Sequence, residues 1–200
     1  MRKLLIGTTN PGKFEEYKKL LTDFGFKFEF VSPKDLNIEE PEETGKTFEE
    51  NALLKAKYYY EQSKIPTLVD DGGFEIDALN GEPGIKSRRW LGRDASDEEL
   101  IDEVYKRMES QENKKCRLNV FLALATPFGV MTSRADVEGV IADHPSDKRI
   151  QGYPYRSLMY FPNYGKYYCD LTEEEHEILN HRKHAIEKIK DIFKELENSK

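Results

Sequence analysis

The segment IPTLVDDGGFEIDAL, residues 65–79, places two adjacent carboxylates between two apolar runs. Residues 65–69 form a short apolar run, which predicts a buried strand that ends at the Asp-Asp-Gly-Gly sequence of residues 70–73. Residues 74–79 alternate loosely and stop at Asn80-Gly81, as the first arm of a hairpin or a strand before a loop would. Carboxylates at the carboxyl end of a buried strand lie where α/β sheets bind their ligands.

Strand and helix patterns alternate on both sides of this segment. We predict further strands at residues 3–9, 27–31, 118–126 and 130–140. We predict helices at about residues 11–24, 47–63 and 96–108, and one long final helix from about residue 172. Thr47 with Glu50 predicts a capping box, and Ser96 with Glu99 predicts a second cap. The final helix has an apolar stripe formed by Ile178, Ile186, Ile189, Phe193 and Leu196. This order predicts an α/β fold with a mixed sheet and helices on its faces.

The composition is that of a globular and acidic chain. Of its 200 residues, 38% are hydrophobic and 34% are charged, and the formal net charge is -7. This charge disfavours binding to duplex nucleic acid, which needs clustered Lys and Arg. Cys116 and Cys169 have no metal-ligand spacing, which favours two thiols in a reducing compartment. We expect no signal peptide and no membrane span, and therefore a cytoplasmic protein.

The sequence Thr-Thr-Asn-Pro-Gly-Lys of residues 8–13 joins the first predicted strand to the first helix. A turn of this kind collects backbone N–H groups and the helix dipole at one point, which attracts phosphate. Thr8, Asn10 and Lys13 add side-chain donors and one positive charge. The spacing differs from that of a P-loop, so an ordinary capped turn with a surface lysine stays an alternative.

Asp70 and Asp71 are candidate ligands for Mg²⁺, which takes few protein oxygens and keeps several waters. One of the two could instead act as a base on an attacking water. A solvated Asp-Asp-Gly-Gly turn is the alternative. A glutamate of the acidic run at residues 39–43 could complete a metal site with Asp71, and such a site beside a phosphate turn indicates phosphoryl chemistry.

Aromatic and basic residues gather late in the chain. Tyr153 offers a face on which a base could stack, and Arg182 offers planar donors for a carbonyl edge. Plain packing is the alternative for Tyr153, and a surface or satisfied core histidine is the alternative for His181.

Together these segments resemble the inosine and xanthosine triphosphate pyrophosphatase family, from Thr8 to about Ala185. The residues that carry the resemblance are TTNPGKFEE (8–16), EETGKTFEENALLKA (42–56) and DDGGFEIDALNGEPGIKSRRWLG (70–92). The resemblance implies a single two-lobed domain over residues 1–200, with a long twisted sheet and a central nucleotide cleft. It also implies a homodimer that requires Mg²⁺ and hydrolyses ITP, XTP and dITP to the monophosphate and pyrophosphate.

Site roles follow from the matching positions. The resemblance implies that Thr8, Asn10 and Lys13 hold the phosphates and that Lys13 also serves in catalysis. It implies that Glu43 and Asp71 bind the metal and activate water, with Asp70 beside them as a third metal-site residue. It implies that Tyr153 stacks on the base and that His181 and Arg182 contact the purine 6-oxo edge. The remaining positions that it places near the substrate are Gly72, Ser87, Arg89, Arg156 and His176.

The chain departs from the family pattern at several of these positions. The pattern has an aspartate where this chain has Arg156, a lysine where it has His176, and serines where it has Gly72 and Asn180. The departures predict an active enzyme with a shifted substrate preference. Two alternatives remain: the same chemistry on a different or modified nucleotide, selected by Arg156 beside Tyr153, and a nucleotide-binding relative with weak or no turnover.

Overall fold

The computed structural model describes residues 1–198, in which we find seven strands and six α-helices. The strands are β1 (Arg2–Ile6), β2 (Phe28–Val31), β3 (Thr67–Ile76), β4 (Lys115–Thr126), β5 (Gly129–Ile141), β6 (Met159–Phe161) and β7 (Lys166–Tyr167). The helices are α1 (Pro11–Asp23), α2 (Phe48–Ser63), α3 (Asp97–Met108), α4 (Glu173–Leu179), α5 (His181–Lys188) and α6 (Lys190–Asn198).

All seven strands form one sheet in the order β2-β1-β3-β4-β5-β6-β7. Strand β1 pairs in parallel with β2 and with β3, whereas β6 pairs antiparallel with β5 and with β7. The sheet is therefore mixed, and the predicted α/β fold is confirmed.

The chain divides into two compact units. The first contains residues 1–71, residues 120–135 and the chain from Arg182 onward, and the second contains residues 72–119 and 136–181. The boundaries fall within β3, β4 and β5. A single two-lobed domain over residues 1–200 stays a prediction, and its last two residues lie outside the described part of the chain.

Apolar residues on both faces of β1 build the first unit. Leu4 and Ile6 pack in a cluster with buried side chains of α1, α5 and α6, while Leu5 between them packs with buried side chains of α2. Successive strand residues point to opposite faces, so this run of apolar residues describes a strand that is covered on both sides.

The second unit has its own core, in which helix α3 packs against strand residues. Leu100, Ile101 and Val104 of α3 are buried in the same cluster as Phe74 of β3 and Tyr155. The rings of Phe74 and Tyr155 stack with centroids 4.7 Å apart. Helix α3 begins with the predicted cap, since Ser96 and Glu99 form a complete capping box.

Only one of the two hydrogen bonds of the capping box predicted for α2 is present. Thr47 Oγ1 accepts a hydrogen bond from Glu50 N at 3.1 Å. The Glu50 carboxylate accepts from Lys46 N at 2.6 Å, so it reaches one residue further back than a capping box would.

The predicted break at residues 70–73 is wrong, because β3 runs without interruption from Thr67 to Ile76. The alternative of a solvated turn fails as well, since Asp70 is only 4% exposed. Two acidic residues and two glycines resemble a turn by composition, but ion pairs with Lys13 and Arg182 allow the Asp70 carboxylate to be buried.

The prediction of one long final helix is also wrong, because residues 173–198 form three helices. Asn180 has an extended backbone (φ -75°, ψ 101°) and separates α4 from α5. Four residues of the predicted stripe are buried: Ile186, Ile189, Phe193 and Leu196. Ile178 lies before the break and is 61% exposed. The apolar periodicity continues on both sides of Asn180, a residue type of low helix propensity. The prediction of one helix followed the periodicity and was therefore wrong. Within residues 1–198 no helix is long and apolar enough to cross a membrane.

The two isoleucines give a matched test of this correction. We expect Ile186→Ala to lower the free energy of unfolding by about 2–5 kcal/mol, since it removes a fully buried side chain. The same substitution at Ile178 should change it by less than about 0.5 kcal/mol. Urea unfolding followed by circular dichroism measures both, and similar losses would contradict the break at Asn180.

Candidate active site

The turn between β1 and α1 is capped by Asn10. Its Oδ1 accepts hydrogen bonds from Gly12 N at 2.8 Å and from Lys13 N at 3.2 Å. Asn10 N in turn donates to Thr8 Oγ1 at 3.2 Å. Two of the amides predicted to face phosphate are therefore satisfied by a side chain, and the Lys13 side chain extends beyond this cap.

Asp70 lies between two cations. Its Oδ1 is 2.9 Å from Lys13 Nζ, and its Oδ2 is 3.3 Å from Arg182 Nε. Burial raises the pKa of this carboxyl, but the charges of Lys13, Arg182 and Lys55 outweigh burial and hold the pKa well below its usual range. Asp70 is therefore ionised in the folded protein, and each of its oxygens has a cationic partner.

Arg182, the second residue of α5, also contacts α1. Its Nη1 lies 2.9 Å from Glu16 Oε2, and its side chain is 8% exposed. The guanidinium carbon lies 5.8 Å from the centre of the Tyr17 ring. Residues predicted from separate parts of the sequence thus form one line of alternating charges: Lys13, Asp70, Arg182 and Glu16.

Glu43 and Asp71 converge on a third cation, Lys55 of α2. The Lys55 Nζ lies 2.6 Å from Glu43 Oε1 and 3.6 Å from Asp71 Oδ1, and this residue is only 5% exposed. Burial opposes its charge, yet the Asp71 and Glu43 carboxylates raise the pKa of Lys55. Burial raises the pKa of Asp71, and the neighbouring charge of Glu43 adds to this against the opposing effect of Lys55.

The loop that carries Glu43 is fixed to the start of α2 and to the phosphate turn. Gly45 N donates to the buried Asn51 Oδ1 at 2.8 Å, and a side chain at Gly45 would collide with Glu50 and Asn51. Thr9 Oγ1 donates to Glu40 Oε2 at 2.8 Å. These contacts hold the acidic loop beside the turn that begins α1.

The donor set at Glu43 and Asp71 fits a hard divalent ion that keeps most of its waters. Two carboxylates share one neighbouring ammonium, which leaves these three groups a net charge of -1. Mg²⁺ is commonly held by one or two carboxylates together with substrate phosphates. The described residues contain no cluster of three or more His, Cys, Asp or Glu that could hold an ion by themselves. Asp70 differs, because its oxygens already contact Lys13 and Arg182.

Ser87, in the second unit, forms hydrogen bonds with other parts of the protein. Its Oγ donates to Gly84 O at 2.6 Å and accepts from Phe74 N at 3.1 Å. The Tyr155 hydroxyl donates to Ser87 O at 2.6 Å. Arg89 lies on the surface with its side chain 70% exposed, 3.4 Å from Asp94.

Of the late aromatic and basic residues, Tyr153, Arg156, His176 and His181 lie in the second unit. The Arg156 guanidinium carbon lies 4.1 Å from the centre of the Tyr153 ring and 5.1 Å from that of Tyr168. The rings of His176 and His181 meet Tyr168 edge-on, at centroid distances of 5.2 and 6.5 Å.

The predicted site residues thus fall into two groups by unit. The first unit holds Thr8, Asn10, Lys13, Glu43, Asp70, Asp71 and Arg182. The second holds Gly72, Ser87, Arg89, Tyr153, Arg156, His176 and His181.

Comparison with known proteins identifies the family. The family model described as the Ham1 family matches residues 4–192. The chain belongs to the Ham1 family.

Named relatives support the same assignment over almost the whole length of the chain. A dITP/XTP pyrophosphatase of Haemophilus influenzae is 37% identical, with 94% of this chain and 97% of the relative covered. A dITP/XTP pyrophosphatase of Yersinia pseudotuberculosis is 35% identical, with coverage of 98% and 100%. The family resemblance predicted from the sequence is therefore confirmed.

Solved structures agree with the Ham1 fold. A HAM1 protein from Coxiella burnetii superposes with a TM-score of 0.85 at 30% identity, covering 98% of this chain and 100% of that one. The Ham1 protein of Staphylococcus aureus gives 0.84 at 28% identity, with coverage of 96% and 98%.

Sequence reasoning missed two charged residues of this candidate site, Lys55 and Glu16. Lys55 lies within the buried face of α2, between Ala52 and Tyr59. A lysine on an apolar helical stripe is a detectable signal, because a buried cation needs an acidic partner. Glu16 gave no comparable signal, since a glutamate three residues after Lys13 resembles an ordinary exposed helix position.

Asp70 and Asp71 should respond unequally to loss of charge. The folded state lowers the pKa of Asp70, so its ionised form stabilises the fold, and Asp70→Asn should cost about 3 kcal/mol. The pKa of Asp71 is raised, so its ionised form does not stabilise the fold. Asp71→Asn should change the free energy of unfolding by less than about 1 kcal/mol. Urea unfolding at neutral pH without divalent metal tests this, and equal losses would refute the assigned charge partners.

Proposed function

We propose that the chain is a nucleoside triphosphate pyrophosphatase that hydrolyses deaminated purine nucleotides (ITP, XTP and dITP) to the monophosphate and pyrophosphate. The names of its relatives support this activity. The observation that carries the proposal is the contrast between the adjacent residues Asp70 and Asp71. Asp70 is neutralised by two cations, while the pKa of Asp71 is raised beside Glu43. The site therefore contains a lysine held in place to contact phosphate and a carboxylate suited to accept a proton from water.

Lys13 is the proposed phosphate contact. Its ammonium has three N–H donors, and Asp70 accepts from it at 2.9 Å. Asp70 is therefore a positioning residue that fixes the Lys13 Nζ, and the other donors of that nitrogen are available to phosphate oxygens. Thr8 and Asn10 act with it, Asn10 chiefly by holding the turn through its cap on Gly12 and Lys13.

Glu43 and Asp71 are the proposed ligands of Mg²⁺, which when bound would neutralise phosphate oxygens near the reacting bond. Lys55 holds the two carboxylates beside each other and limits their repulsion. Asp70 was predicted as a third metal residue. We now assign it to Lys13 and Arg182 because both of its oxygens contact these cations.

Asp71 also orients the attacking water and accepts its proton. A general base works best when its pKa approaches the working pH, and burial moves the pKa of Asp71 in that direction. The water attacks the α phosphorus, and pyrophosphate leaves towards Lys13. Positioning and charge account for most of the rate in such reactions.

Recognition of the base is assigned to Tyr153, His181 and Arg182, as the resemblance implies. A site that donates to O6 of a 6-oxo purine would leave its donors unsatisfied against adenine, which rejects the common nucleotide. Arg182 contacts Asp70 and Glu16 in the first unit, and the resemblance implies that it also contacts the base. Its assigned role therefore combines positioning Asp70 with donation to the base.

The homodimer and the cytoplasmic location stay predictions. Static light scattering over a range of concentrations tests the dimer, which should have twice the chain mass of 23.3 kDa. A constant mass equal to that of one chain would contradict it.

Pyrophosphate release from ITP, XTP, dITP and the four common ribo- and deoxynucleotides tests the proposed activity. We expect the deaminated purines to be preferred, and loss of at least about 100-fold in kcat for Asp71→Asn and Glu43→Gln, as removal of a proton acceptor or metal ligand causes. Glu42→Gln is the matched control in the same exposed loop and should keep its activity. Release that persists in Asp71→Asn would remove the assigned role, and no release from any nucleotide would favour a nucleotide-binding protein.

Metal dependence has a separate test. A chelator should abolish release, and added Mg²⁺ should restore it, because two carboxylates alone leave the phosphate charge uncompensated. Isothermal titration should detect Mg²⁺ binding in the presence of the nucleoside monophosphate, and binding should weaken in Glu43→Gln. Full activity in excess chelator would show that the reaction needs no divalent ion.

A further inference from the structure

The start of helix α3 joins two segments of the second unit that carry predicted substrate residues. The first segment, residues 84–96, contains Ser87, and the second, residues 149–157, contains Tyr153. Each segment donates a hydrogen bond to Asp97, which is the first residue of α3. Neither the phosphate contacts nor the metal site proposed above uses this carboxylate.

The two oxygens of Asp97 have different partners. Its Oδ2 accepts a hydrogen bond from Gly152 N at 2.7 Å, and its Oδ1 lies 2.5 Å from Arg88 Nη1. Gly152 has a φ of 82°, a conformation that favours glycine, and it directly precedes Tyr153. A charge-assisted hydrogen bond therefore holds the backbone turn from which the Tyr153 side chain extends.

The two glutamates that follow Asp97 also pair with arginines, but they are more exposed. Glu98 lies 2.9 Å from Arg149, and Glu99 pairs with Arg93. The side chains of the two glutamates are 63% and 42% exposed, whereas that of Asp97 is 22% exposed. Because exposed ion pairs contribute little, Asp97 is the member of this acidic run best able to hold a segment in place.

A second contact holds the 149–157 segment on the other side of Tyr153. The Tyr155 hydroxyl donates to Ser87 O at 2.6 Å, and the Tyr155 ring stacks on Phe74. Tyr153 is therefore held through the backbone amide before it and through the aromatic residue that follows two positions later. The Asp97 contact is the one that a change of a single carboxylate can remove.

We propose that Asp97 is a positioning residue for base binding: its carboxylate holds the Gly152 N–H and thereby places the ring of Tyr153, on which the base stacks. A group that is already in position binds more tightly, because less ordering accompanies binding. The inference rests on the proposed function and on the stacking role of Tyr153. It adds that recognition of the base depends on a carboxylate that acts through the backbone.

Isothermal titration with inosine monophosphate and with pyrophosphate plus Mg²⁺ tests the inference. Asp97→Ala should weaken binding of the monophosphate about tenfold, as expected when a charge-assisted hydrogen bond that supports a contact is lost. Binding of pyrophosphate should stay within about twofold, because this ligand carries no base. Partial unfolding would lower both apparent affinities by the same factor, so the ratio of the two isolates the effect on the base.

Asp102→Ala is the matched control, since Asp102 is an exposed aspartate of the same helix. It should leave the ratio of the two affinities unchanged. An Asp97→Ala variant with an unchanged ratio would overturn the inference and leave the proposed function intact.

Two further variants separate the Gly152 contact from the Arg88 contact. Asp97→Asn keeps an oxygen that can accept from Gly152 N, and Arg88→Gln leaves the carboxylate in place. Each should weaken binding of the monophosphate by less than about threefold, since the backbone contact survives. A loss in Arg88→Gln as large as that in Asp97→Ala would show that Asp97 acts through Arg88, and it would refute the proposed route through Gly152.

Removal of the tyrosine ring distinguishes positioning from a general effect on the fold. If Asp97 acts through Tyr153, Asp97→Ala should have almost no further effect on monophosphate binding in a chain that already carries Tyr153→Ala. Additive losses would contradict the inference. Asp97→Ser gives the same cycle if Asp97→Ala fails to fold, because the serine hydroxyl lies nearer its own backbone than the aspartate oxygens.

The outcome for the proposed function is separate. Absence of pyrophosphate release from every nucleotide would defeat that function, whereas the binding measurements would still decide the role of Asp97, because monophosphate binding does not need catalysis.

Discussion

The site depends first on the burial of one ionised carboxylate. Asp70 is nearly inaccessible to solvent, and it stays charged because Lys13 and Arg182 contact its two oxygens. Without these cations the desolvation of the carboxylate would favour its neutral form or a less buried strand. With them, strand β3 passes directly through its acidic pair. Because Lys13 belongs to α1 and Arg182 to α5, the same carboxylate joins three elements of the first unit.

The neighbouring residue, Asp71, is not neutralised in this way. Asp71 shares Lys55 with Glu43, so two negative charges face one positive charge. This imbalance is unfavourable for the protein alone and favourable for binding a cation, which is a common compromise between stability and activity at functional sites. The alternation of strand side chains sends adjacent aspartates to opposite faces of β3, where they meet different partners. Two identical residues therefore acquire different electrostatic roles from their positions.

The sequence predicts those parts of the fold that local patterns control. Helix α3 begins at its predicted cap because Ser96 and Glu99 satisfy each other within one turn. The continuous β3 strand depends instead on contacts between distant residues. Asp70 is 57 residues from Lys13 and 112 from Arg182, and no local pattern links them. The candidate site followed the same division: family motifs predicted Glu43 and Asp71, whereas their common partner Lys55 was missed.

The departures from the family pattern are unevenly distributed, and their distribution bears on specificity. Gly72, Arg156, His176 and Asn180 all belong to the second unit, whereas the ion pairs of Lys13, Lys55 and Asp70 belong to the first. None of the four altered positions takes part in the ion pairs of Lys13, Lys55 and Asp70. Position 156 is an example, because the Arg156 guanidinium lies against the faces of Tyr153 and Tyr168, and neither ring takes part in the ion pairs of Asp70.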